Sequence, residues 1–169
     1  MRQRPLLVAA ALLIVALFAI PLTAGATPPE PVLITLDETF TGTGVVGNFT
    51  ATGGGVFDST PGTIASVSYK PVGFSPSPDH VVVYTATDEY TTADGSFLVR
   101  FEGSCAVIGF DDATNVVTLA CGGNWQVNGG TGGYARLKGT GKFSETQFIN
   151  ILDGTGSGTL ESTGRMHTD

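Results

Sequence analysis

The sequence predicts an all-β chain closed into an eight-stranded antiparallel up-and-down barrel of calycin-like form, with an open β-sandwich as the alternative. Three observations carry this expectation. Segments rich in Val, Thr, Phe and Gly recur between turn-forming residues along residues 32–169. No stretch of that region has a sustained helical period. The two cysteines fall opposite each other when neighbouring segments are paired. Barrel closure also removes the exposed edges that an open sheet would present.

The chain opens on a different kind of segment. Arg2 and Arg4 precede an uncharged run from Pro5 through Leu22, Pro21 interrupts helix, and Ala24-Gly25-Ala26 offers small residues for cleavage. Residues 1–26 therefore read as a signal peptide. A retained membrane anchor is the rival reading, because the run nears the length that spans a bilayer. The lead-in at 27–31 is proline-rich and expected to be extended and mobile, and 32–169 forms a single domain. The destination is secreted, extracellular or periplasmic. Loss of Arg2 and Arg4 takes the formal net charge from −7 to −9, which disfavours nucleic acid and anionic membrane surfaces as partners.

The strand-like segments follow in order. Val32–Phe40 is the first and Val45–Phe57 the second, with a turn at Asp58–Gly62 leading into Thr63–Tyr69. Pro71, Pro76 and Pro78 make Pro71–Asp79 the longest loop and exclude it as a central strand. His80–Thr91 is the fourth segment, and Asp94-Gly95 gives a hairpin turn into Ser96–Phe110. Asp111–Asn115 turns that strand into Val116–Val127. The glycine-rich Gly129–Gly133 breaks the chain before it resumes as a seventh strand through Tyr134–Leu137, and Gly154–His167 is the eighth.

Pairing Phe110 with Val116 fixes a register. Cys105 then faces Cys121, Val107 faces Leu119, Phe101 faces Trp125 and Val99 faces Val127, all on one side of the sheet. Arg100 with Gln126, and Glu102 with Asn124, take the other side. In an exported chain this makes Cys105–Cys121 a disulfide. A two-residue Asp94-Gly95 loop would pair Ala93 with Ser96, set Tyr90 against Val99 and Asp88 against Phe101, and turn Asp88 inward beside Tyr84. A three-residue loop slips the register by one and turns Asp88 out toward Arg100. The outward placement carries the greater weight at this point. Turned inward, Asp88 is the best candidate for an acid or base, since desolvation raises a carboxyl pKa.

Other chemistries are poorly served. Gly130–Ala135 fits a dinucleotide pattern nominally, but no strand-to-helix unit surrounds it. No Gly-x-Ser-x-Gly elbow is present, and His80 and His167 are the only histidines, too few for a histidine-ligated metal site. Asp111-Asp112 reads as a solvated turn, and Asn48-Phe49-Thr50 is a formal glycosylation sequon. Arg136, Lys138 and Lys142 fall on one face opposite Leu137 and Phe143, the pattern of a wetted outer strand surface.

Trp125-Gln126, Gly130–Ala135, Gly47–Gly53 with Asp58, and Asp94–Phe97 together resemble motifs of the plant dirigent proteins. They are more similar still to small exported bacterial proteins of the allene oxide cyclase-like barrel group. Arg136 departs from that pattern, where a small residue is usual. The resemblance implies an eight-stranded barrel with an apolar lumen and no cofactor. Plant members guide radical coupling or cyclise a reactive oxylipin, and often form homo-oligomers.

Three functions follow as expectations. The first is binding of a small apolar ligand in a lumen lined by Tyr84, Tyr90, Phe101, Trp125 and Tyr134. The second is a cofactor-free isomerase or cyclase using Asp88. The third is a structural protein whose barrel is filled. A hollow lumen with an inward Asp88 would favour the second, and a wholly apolar one the first.

Overall fold

The computed structural model describes residues 27–73 and 82–169. The expected signal peptide, most of the Pro71–Asp79 loop and His80 lie outside the described residues. Eight strands form one closed antiparallel barrel in chain order. They are β1 (Glu30–Thr41), β2 (Val45–Gly53), β3 (Phe57–Gly73), β4 (Val82–Thr92), β5 (Gly95–Asp111), β6 (Val116–Gly130), β7 (Leu137–Asn150) and β8 (Thr155–Thr168). Pairing of β1 with β8, from Glu30 opposite Met166 to Thr41 opposite Thr155, closes the wall. The lead-in is tied down at Thr27, whose amide and hydroxyl both donate to the Thr168 carbonyl.

Strict alternation builds the interior. Val32, Ile34, Leu36 and Glu38 of β1 point inward and are buried, while the residues between them are exposed. One end of the barrel is packed solid with rings. Tyr90 stacks on Phe97 with centroids 5.2 Å apart, Phe49 meets Tyr90 edge-on at 4.9 Å, and Phe57 stacks on Tyr134 at 5.6 Å. Tyr134 is also held by a hydrogen bond between its hydroxyl and Thr92 Oγ1.

The middle register follows the sequence expectation. Cys105 pairs with Cys121, Phe101 with Trp125, Val99 with Val127 and Val107 with Leu119. Cys105 and Cys121 form a disulfide. The hairpin loop itself differs. A bulge between Val107 and Gly109 sets Phe110 against Val117, so Asp111 pairs with Val116. The next hairpin also departs from expectation. Its loop is Ala93-Asp94 and pairs Thr92 with Gly95, which sets Tyr90 against Phe97 and Asp88 against Val99. The shift is two residues, so every side chain keeps its face. Asp88 is turned inward, contrary to the weighted expectation.

Several boundaries are corrected. The second strand stops at Gly53, and the turn is made by Gly53-Gly54-Gly55, whose φ values of 92°, 68° and 70° suit glycine. Asp58–Gly62, expected as a turn, lies inside β3. Pro61 is tolerated there because β3 pairs with β4 only from Thr63 onward, so that stretch has β2 alone as neighbour. Pro71 is likewise in strand, opposite Tyr84, beyond the reach of β2. At the glycine corner, Gly132–Tyr134 form a 3-10 turn, and the seventh strand starts at Leu137 rather than Tyr134. Gly133 donates to the Asp94 carbonyl, so the two turn motifs of the sequence pack against each other.

Candidate functional site

The other half of the barrel is hollow. A cavity of about 720 Å3 lies between the Gly42–Gly44 connection and the half of β3 that β2 does not cover. Val82, Ala86, Phe101, Leu119 and Leu160 supply apolar wall, and Phe40, Tyr69 and Tyr84 supply rings. Tyr69 stacks on Tyr84 with centroids 5.4 Å apart and is itself exposed, which places that pair at the mouth. The Cys105 end of the disulfide also faces this space.

Three carboxyl groups project into it: Glu38 from β1, Asp88 from β4 and Glu145 from β7, each 7–8 % exposed. Glu38 reaches Glu145 across β8 at Gly158, where a Cβ would sit 3.3 Å from Glu38 Oε2. Glu38 and Glu145 share a hydrogen bond, and the Gln147 amide donates to Glu145 Oε1. Burial above all, then the charge of Glu145, pushes the Glu38 carboxyl up to about 10. Glu145 is raised by burial too, but the hydrogen bonds from Glu38 and Gln147 oppose that rise. Glu38 is thus the protonated donor and Glu145 the carboxylate acceptor. Asp88 is raised to about 7, by burial first and Glu145 second, against a hydrogen bond from Ser66 that lowers it. Tyr84 is also raised, chiefly by burial, and keeps its phenolic proton.

Such a set can hold and exchange protons near neutrality without a metal or cofactor. Among the described residues, no group of three His, Cys, Asp or Glu side chains converges closely enough to hold a metal ion.

Of the residues the sequence singled out, Tyr84, Asp88 and Phe101 line the cavity. Tyr90, Trp125 and Tyr134 are buried but lie away from its wall, Tyr90 and Tyr134 in the ring-filled half. Trp125 donates its indole N–H to the Lys142 and Thr163 carbonyls at 3.1 and 3.2 Å and fills the barrel below the cavity. Sequence reasoning did not single out Glu38, Glu145, Ser66 or Gln147. The signal for the first was available: Glu38 is in phase with Val32, Ile34, Leu36 and Phe40. Lys138 and Lys142 are exposed on the outer face, as their spacing implied, and Arg136 is exposed just ahead of β7.

The chain matches no family model, no curated protein and no solved structure among those it was compared with.

Proposed function

We propose that this protein binds a small molecule in the barrel lumen, with the apolar body against Phe101, Leu119 and Leu160 and a polar group toward the carboxyls. The observation that carries the reading is the cavity of about 720 Å3, within the range of about 300–1,000 Å3 that holds small ligands. A filled structural barrel would have no use for three buried carboxyls, each of which costs free energy to desolvate. Export to an extracellular or periplasmic compartment belongs to the same proposal, as does the allene oxide cyclase-like kinship on which the leader and motifs bear.

The test is saturable binding of a neutral fluorescent apolar probe, N-phenyl-1-naphthylamine, to the mature chain. Ala86→Trp, which fills the lumen, should abolish it while leaving the far-ultraviolet spectrum unchanged. If no probe binds and native mass spectrometry finds no co-purified molecule, the reading fails.

The position of Asp88 favours a second reading, a cofactor-free isomerase or cyclase. Its carboxylate would take a proton from a carbon beside a carbonyl and return it elsewhere on the same molecule. The Tyr84 or Glu38 hydroxyl would donate to the carbonyl oxygen as negative charge develops there.

A further inference from the structure

The lumen carries three carboxyls, yet among the described residues no Lys, Arg or His lines it. Buried acids ordinarily find a cationic partner within the protein. Here Glu38 and Glu145 have each other, and Asp88 has Ser66. A second, independent feature points the same way. The Tyr84 side chain is 5 % exposed and lies on the cavity wall, and its hydroxyl has no hydrogen-bond partner among the described residues. A phenol oxygen of that kind accepts a hydrogen bond from whatever enters. Rings of Phe40, Tyr69, Tyr84 and Phe101 stand around the acids, a setting that also stabilises cations through their faces.

We propose that the ligand of the lumen is an organic ammonium ion: an amine whose apolar body fills the cavity and whose three N–H donors meet the Asp88 and Glu145 carboxyls and the Tyr84 oxygen. The proposal rests on lumenal binding and adds the class of the ligand. A single metal ion is less well suited, because the acids do not converge on one point. An ammonium meets its acceptors at about 2.7–2.9 Å, farther out than the ligands of a bound metal ion at about 2.0–2.6 Å. Entry of the cation takes the place of protons now held in the lumen, so binding releases protons to solvent. The groups that titrate against it are Glu38 of β1, Tyr69 of β3, Tyr84, Asp88 and Tyr90 of β4, and Glu145 of β7. Asp111 at the end of β5, and Asp112 and Asp153 in the connecting loops, sit at the same end and draw cations toward it, with exposed Lys70 as a nearby opposing charge.

Calorimetric titration of the mature chain with 2-phenylethylammonium, 2-phenylethanol and phenylacetate separates the ideas. The amine should bind about tenfold or more tightly than the alcohol, which corresponds to about 1.4 kcal/mol. Phenylacetate should not bind. Heats measured in phosphate and Tris should differ in proportion to the protons released, and amine affinity should rise between pH 6 and pH 8. Glu145→Gln should lose most of the amine preference over the alcohol. Equal or tighter binding of the alcohol, or heats independent of buffer, overturns the ammonium proposal while lumenal binding stands. Failure of both amine and alcohol to bind overturns it together with lumenal binding.

Discussion

Glu38 of β1 hydrogen-bonds Glu145 of β7, although β8 lies between their strands. Such a pair is stable only while it retains a proton. The folded chain holds the Glu38 proton up to about 10, whereas an exposed glutamate gives it up near 4.5. Between those values the unfolded state binds fewer protons, so stability falls as pH rises, by about 1.4 kcal/mol per pH unit for each proton retained. Asp88 adds to the slope up to about 7 and not beyond. Asp111 and Asp153 are lowered by hydrogen bonds from Thr114 and Thr155, so their contribution is lost only in acid, below this window. Urea midpoints should therefore decline steadily from pH 5 to pH 9, and Glu38→Gln should flatten the decline. A wild-type midpoint independent of pH would contradict the shared proton.

Gly158 is what lets the two acids meet. Its missing side chain leaves a gap in β8 through which Glu38 passes, with Phe40 Cε2 3.1 Å from the place a Cβ would take. Gly158→Val should separate the pair and leave Glu145 with the Gln147 amide as its remaining donor. The expected cost is about 1–3 kcal/mol from overpacking and lost hydrogen bonding. The pH dependence of the urea midpoint should change along with the midpoint itself. A loss of stability with an unaltered pH slope would mean that the strand, not the carboxyl pair, was disturbed.

Asp88 should titrate by itself near neutrality. In carboxyl carbon NMR of aspartate-labelled protein, one resonance should have its midpoint near pH 7, and Asp88→Asn should remove that resonance. Ser66→Ala should move the midpoint higher, because the Ser66 hydrogen bond favours the charged form. A midpoint in the ordinary aspartate range would place Asp88 in contact with solvent.

The disulfide spans 16 residues of sequence between strands already joined by a ladder of backbone hydrogen bonds. Its removal should cost about 3 kcal/mol in the chain-entropy description while the barrel persists. Urea denaturation of the Cys105→Ala/Cys121→Ala variant measures this. Unfolding of that variant without denaturant would show that the ladder alone cannot hold the register.

How much was readable in advance depended on which local rule governed each residue. Strand number and the Cys105–Cys121 register were legible because alternation and cysteine pairing constrain the same two strands. Asp88 took the inward face of the two-residue-loop reading, against the outward one given more weight, because the hairpin shift from that reading was two residues, an even number. The turn at Gly53–Gly55 was missed because Asp58-Ser59-Thr60-Pro61-Gly62 carries stronger turn chemistry. Only the offset of β3 between β2 and β4 makes that stretch acceptable as strand. The acid pair was harder to see. Period-two phasing puts Glu38 inward and puts Glu145 in phase with Leu137 and Phe143, but their meeting depends on Gly158 of a third strand. Tyr90, Trp125 and Tyr134 were grouped with the lining because burial is readable from phase. Height along the barrel, which separates packed rings from open cavity, requires the register of all eight strands.

Trp125 supplies a final test of where packing ends and cavity begins. Its indole lies over Gly141 of β7 and Gly164 of β8, and a Cβ at either position would come 2.6 Å from ring carbons. Neither ring nor backbone can retreat easily, since the indole N–H is held by the Lys142 and Thr163 carbonyls. Gly164→Ala should therefore destabilise the fold by about 1–3 kcal/mol or more. It should also shift the emission of Trp125, the chain's single tryptophan, as the ring is displaced. Gly73→Ala is the control: among the described residues nothing lies within 4 Å of its Cβ position, and the change should stay within about 0.5 kcal/mol. Unchanged stability and emission in Gly164→Ala would mean that both the indole and the Thr140 carbonyl, which also crowds that position, have room to move.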